Sequence, residues 1–147
     1  IWNGENSIVN LSGSTAEINY SNVQNGPLQG FSWENGNIDA DPLFVESGFW
    51  VDANEPNLIV NHDDPNAFWL EGDYHLQSNA GHYDPNSQTW ILDDINSPCI
   101  DSGDPNSPFE NEPLPNGGRI NMGAYGGTKQ ASKSIDSLIA NKEPDES

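Results

Sequence analysis

At 147 residues the chain is one domain, or one domain with a tail. Twenty-three acidic residues against four Lys and Arg give a formal net charge of −19. Neutralising phosphates takes clustered Lys and Arg, so the balance argues against nucleic acid and against an anionic membrane surface.

Only 33% of the residues are hydrophobic, but five Trp, four Tyr and five Phe are more aromatics than a disordered chain carries. The reading is a folded, loop-rich β protein. One cysteine, Cys99, excludes an internal disulfide framework. Between Pro98 and Ile100 it reads as a small buried hydrophobe. No apolar run approaches the roughly 18 residues of a spanning helix. The chain opens at Ile1-Trp2 in what reads as mid-strand, so a piece of a longer protein is expected.

In chain order, Ser7–Leu11 and Ala16–Val23 read as short strands, the second from Ile18 and Tyr20 alternating with Glu17 and Asn19. Asn25-Gly26-Pro27 ends them. Residues 26–37 form a Gly- and Asn-rich loop carrying Phe31 and Trp33. Asp41-Pro42 opens a turn into a buried strand, Leu43-Phe44-Val45. Residues 46–72 read as irregular and aromatic. Asp73–Leu76 is a short strand with Tyr74 and Leu76 on one face. Asp-Pro-Asn at 64–66, 84–86 and 104–106 suits a type I turn and reads as recurring turn chemistry rather than a true repeat. Ser97 to Gly127 holds the only Cys, Arg and Met, and reads as a structural plug. A buried Arg119 needs a carboxylate, and Asp101 and Asp104 are the nearest candidates. Ser132–Asn141 suggests a short helix, and Glu143–Ser147 a disordered end.

The blocks GNIDADPLFV (36–45), EGDYHLQS (71–78), SPCIDSGDPNSP (97–108) and NGGRINMGAYGGT (116–128), in this order, resemble the C-terminal end of secreted bacterial right-handed parallel β-helix proteins of pectate-lyase-like fold. INYSNVQNG (18–26) is similar to a last regular coil. The resemblance implies an all-β fold: terminal β-helix coils over 1–45, an irregular capping region over 46–133, and a short helix or disordered tail over 134–147. A coil of roughly two dozen residues is expected. The resemblance also implies a secreted or cell-surface location, with the upstream coils of the same protein and polysaccharide as partners. An open first coil predicts self-association through the N-terminal edge.

The motifs of this resemblance are structural, so no catalytic residue carries over. The leading expectation is a structural, non-catalytic capping segment. One alternative is part of a polysaccharide lyase or glycoside hydrolase whose site lies in coils upstream. Asp93-Asp94, Gly81-His82 and Arg119-Ile120 are faintly similar to polygalacturonase motifs, in a different order and truncated. The other alternative is a carbohydrate-binding surface built from Trp33, Trp50, Trp69 and Trp90, against padding of the core end by the same rings. His62, His75 and His82 lack metal-site spacing and read as turn-capping or surface residues. Calcium is the one metal the pattern suggests: Asp39 with Asp41, and Asp52 with Asn54, place oxygens at i and i+2.

Overall fold

A computed structural model describes Trp2 and residues 13–135. The expected strand at Ser7–Leu11 lies outside the described residues, as does residue 136 onward of the expected helix; residues 132–135 are not helical. The described residues are all β, with no helix. No helix among them is long and apolar enough to cross a membrane. The strands are β1 (Glu17–Ile18), β2 (Ser32–Trp33), β3 (Phe44–Glu46), β4 (Phe49–Asp52), β5 (Ala67–Leu70), β6 (Asp73–Leu76), β7 (His82–Asp84) and β8 (Thr89–Ile91).

Parallel pairing is confined to the first part. β1 pairs with β2 through Glu17↔Ser32 and Ile18↔Trp33, fifteen residues on. Asn22 pairs with Ile38 in the same sense, sixteen on. These offsets are shorter than the two dozen residues expected of a coil, and tight turns at Gln24-Asn25 and Gln29-Gly30 lie between the paired stretches. The predicted strand Ala16–Val23 is broken at Tyr20, whose φ of 45° lies in the left-handed region. Its two pairing stretches are Glu17–Ile18 and the bridge at Asn22.

The later pairing is antiparallel. β3 pairs with β6 and β4 with β5 in nearly one register, from Phe44↔Leu76 to Asp52↔Ala67. They form one long ribbon, bent where residues 47–48 face 71–72. A Cβ on Gly72 would lie 2.2 Å from the carbonyl oxygen of Glu46, and one on Gly48 2.4 Å from the Trp69 ring. Only glycine allows the two backbones to cross so closely. Residues 46–72, expected to be irregular, contain the β4–β5 hairpin, and the connection over 53–66 is irregular as expected. β7 and β8 make a second hairpin.

The turns are uniform. In each Asp-Pro pair the Asp Oδ1 accepts the backbone N–H two residues on: Leu43 to Asp41 at 2.9 Å, Asn66 to Asp64 at 2.8 Å, Asn86 to Asp84 at 3.0 Å and Asn106 to Asp104 at 2.8 Å. Recurring turn chemistry is what the repeated motif encodes.

The apolar core is small. Leu76, Cys99 and Met122 are buried together, with Tyr20, Ile38, Phe44 and Ile100 packed against them. Cys99 is the buried hydrophobe its neighbours suggested. Buried polar side chains join the segments around this cluster. Asn22 donates from Nδ2 to the Ala40 carbonyl at 2.7 Å and accepts the Ala40 N–H at 3.2 Å. Ser97 Oγ donates to the Pro42 carbonyl at 2.6 Å, and Ser132 Oγ to the Leu76 carbonyl at 2.6 Å.

Replacing Asn22 by Ala strips both main-chain groups of Ala40 of their partner. The expected cost is about 2 kcal/mol, seen as a fall in Tm of roughly 4–8 °C for a chain of this size. An unchanged melt would show that water replaces the amide fully.

Candidate functional site

The stretch Ser97–Gly127 is organised around Glu112 and Asn121, two residues the sequence reading passed over. Glu112 is buried. Its Oε1 accepts the N–H of Asn121 at 2.9 Å and of Gly127 at 2.8 Å, while Oε2 is buried with no partner. Asn121 donates from Nδ2 to the Ser132 carbonyl at 2.7 Å and accepts the Asp101 N–H at 2.7 Å. Burial pushes the Glu112 carboxyl above its ordinary range. The N–H groups of Gly127 and Asn121 oppose the shift, and the Asp101 charge adds to it.

Arg119 does reach the Asp101–Asp104 turn, but through backbone. Its Nε donates to the Gly103 carbonyl at 2.6 Å and its Nη2 to the Ser102 carbonyl at 3.3 Å. The guanidinium carbon lies 5.8 Å from the centre of the Tyr20 ring. The expected ion pair with Asp101 and Asp104 is not formed: Asp101 Oδ1 accepts the Gly117 N–H at 3.2 Å, and Asp104 Oδ1 caps its own turn. Arg119 is only half-buried, so carbonyl dipoles and solvent suffice for its charge.

Two buried histidines each meet a carboxylate. His75 is fully buried: Nδ1 lies 2.5 Å from Asp73 Oδ1, Nε2 3.3 Å from Gln130 Oε1, and its ring stacks on Tyr125 at 3.7 Å and 9°. His82 is buried with Nδ1 2.7 Å from Asp93 Oδ2, which also accepts the Ser78 N–H at 2.7 Å. Neither is a surface histidine. Asp73-x-His75 was legible, since residues at i and i+2 share a strand face. His82 with Asp93 needed the β7–β8 hairpin. Asp93 is part of this pair and not a solvated turn. His62 is exposed.

The paired oxygens suggested for calcium serve turns. Asp39 Oδ1 accepts the Asn25 N–H at 3.2 Å, Asp41 that of Leu43, and Asp52 Oδ1 that of Asn54 at 2.7 Å. The Asn54 N–H is the first cause of a lowered Asp52 carboxyl pKa. Among the described residues no group of three or more His, Cys, Asp or Glu is placed to hold a metal ion.

The four tryptophans expected on loops lie in strands instead, Trp33 in β2, Trp50 in β4, Trp69 in β5 and Trp90 in β8, and all four are half-buried. Trp33 covers Gly26, where a Cβ would lie 2.1 Å from the ring. Trp50 and Trp69 meet edge to face across β4 and β5 at 5.1 Å. Trp90 meets Tyr83 edge to face at 5.5 Å, and Lys133 Nζ sits 4.2 Å from its ring centre. Of the four, Trp69 lines a concave site, an open cleft of about 310 Å³ shared with Trp2, Asn22, Pro42, Phe44, Tyr74, Leu76, Cys99, Met122 and Gly123.

Two measurements test this geometry. Arg119→Ala should cost about 1–2 kcal/mol, yet double-mutant cycles with Asp101→Asn and Asp104→Asn should show coupling below about 0.5 kcal/mol. Coupling above 1 kcal/mol in either cycle would restore the ion pair. For Glu112 the folded pKa is raised, so its stabilising contribution is full below the unfolded value of about 4.3 and is lost as pH rises through the folded one. The Tm of Glu112→Gln minus that of the natural chain should therefore increase from pH 4 to pH 8. A difference that stays flat or falls would contradict the assignment.

No protein-family model, no curated protein and no solved structure matches this chain.

Proposed function

We propose that the chain is a structural, non-catalytic end segment: the last turn of a right-handed parallel β-helix and the cap that closes it, in a secreted or cell-surface protein associated with polysaccharide. One observation carries this reading. Parallel pairing with a one-turn offset occurs at residues 17–38, and every later strand pair is antiparallel. A solenoid that ends must cover its last core layer and retire its strand edges, and folding back as hairpins does both.

The connections of the end region support the same role. The Gln77 N–H donates to the Leu43 carbonyl at 2.9 Å, Ser97 N–H to the Gln77 carbonyl at 2.9 Å, and Met122 N–H to the Cys99 carbonyl at 2.8 Å. Three successive segments are thereby laid one on another over the apolar cluster. Glu112, Asn121 and Ser132 bind the last of them down.

The test is functional replacement. Residues 13–135 are fused to a parallel β-helix protein whose own C-terminal cap has been deleted. The fusion should be soluble and monodisperse by light scattering, while the uncapped host aggregates. A fusion carrying Asn22→Ala should recover less. If the fusion aggregates like the uncapped host, the capping role fails.

A further inference from the structure

The cleft beside the core has a composition that a plain packing defect does not explain. Its walls are the rings of Trp2, Phe44, Trp69 and Tyr74, and its floor includes Leu76 and Met122. Phe44 and Tyr74 stand edge to face, centroids 5.4 Å apart at 80°, so two walls meet nearly at a right angle. The Trp69 Nε1–H donates to the Tyr74 hydroxyl at 3.2 Å, and that hydroxyl donates to Glu71 Oε2 at 2.9 Å. This relay fixes two rings in place. It also draws the phenol proton toward a carboxylate, which enriches the Tyr74 ring in electron density. Among the described residues no Lys or Arg lines the cleft, and the chain as a whole carries −19.

We propose that this cleft binds a quaternary ammonium group, the trimethylammonium of a choline-type cation. Aromatic faces attract a cation through their quadrupoles, most strongly where water is displaced. The negative field of the chain raises the local cation concentration. At about 310 Å³, the cleft is at the small end of ligand sites and suits a headgroup rather than a larger molecule. The floor decides which cation. Leu76 and the Met122 thioether accept methyl groups, and Asn22, which also lines the cleft, already spends its amide on both main-chain groups of Ala40. A primary ammonium would lose hydrogen bonds to water without replacement, whereas a trimethylammonium has no N–H to satisfy. A sugar ring would leave its hydroxyls unpaired against the same floor. The inference does not rest on the capping role.

The experiment is a titration followed by NMR of the tryptophan indole N–H signals, with choline chloride, ethanolamine and 3,3-dimethylbutan-1-ol, the neutral isostere of choline. Choline should shift the Trp69 signal saturably and leave that of Trp90 in place. The neutral isostere and ethanolamine should each bind at least about tenfold more weakly. Glu71→Gln, at an exposed position, should weaken choline by about threefold and leave the isostere unaffected. Trp69→Leu, checked for folding by its thermal melt, should abolish the saturable broadening of the choline methyl signal that the natural chain produces. Phosphatidylcholine vesicles separate the two sources of the group: co-sedimentation assigns a lipid headgroup, and binding of free choline alone assigns a solute. Equal affinity for the isostere would make the site merely apolar and overturn the proposal. Equal affinity for ethanolamine would reduce it to attraction by an acidic surface, and so would an effect on Trp90 as large as on Trp69.

Discussion

The structure depends on satisfying buried backbone groups without long strands to do so. The longest strands among the described residues are four residues, so ladder hydrogen bonds are few, yet interior N–H and C=O groups still require partners. Side chains supply them. Asn22 holds Ala40, Ser97 holds Pro42, Ser132 holds Leu76, and Asn121 joins Asp101 to Ser132. Each clasp spans a wide gap in sequence and sits beside the apolar cluster of Leu76, Cys99 and Met122. The cluster supplies burial without direction. The clasps supply the direction, because each is satisfied only in one register.

That division of labour decides what could be read from the chain. The Asp-Pro-Asn turns were legible because Asp Oδ1 to the i+2 N–H is a local bond that needs no tertiary context. β6 was legible from Tyr74 and Leu76 on one face. The bent ribbon was not, for two physical reasons. Phe49–Asp52 and Ala67–Leu70 carry large apolar groups on both faces, which hides the period of two. Gly48 and Gly72 read as loop residues, although they are where two strands cross. Arg119 was placed beside the correct turn and given the wrong acceptor. A carboxylate is visible in a sequence, whereas a carbonyl belongs to every residue. The Glu112–Asn121 centre was illegible because it exists only once Gly127 returns to residue 112 and Ser132 to residue 121.

The acidity has a similar local logic. Asp41, Asp52, Asp64, Asp84 and Asp104 each accept a backbone N–H two residues on. Five of the 23 acidic residues are therefore spread over separate turns instead of gathered at one site. For Asp52 and Asp84 these bonds lower the carboxyl pKa, through Asn54 N–H and the Ser87 hydroxyl first. Their stabilising effect is present above the ordinary carboxylate range and is lost on acidification. Both are exposed, so solvent keeps the effect small. Glu112 runs the other way, since burial favours its proton. The turns and the centre of the end region thus oppose one another as pH falls.

The cleft and the buried apolar cluster share residues. Phe44 and Tyr74 lie at the base of the bent ribbon, Trp69 on its far arm, and Met122 in the last segment laid over the core. Leu76 and Met122 belong to the buried cluster and also form the cleft floor. A group seated there touches β3, β5, β6 and the segment at Met122-Gly123. Binding to the folded chain alone must then raise its stability in proportion to occupancy. The converse holds equally. Loosening the clasps at Ser97 or Ser132 releases the floor from beneath the rings, so the cleft keeps its shape only while the end stays closed.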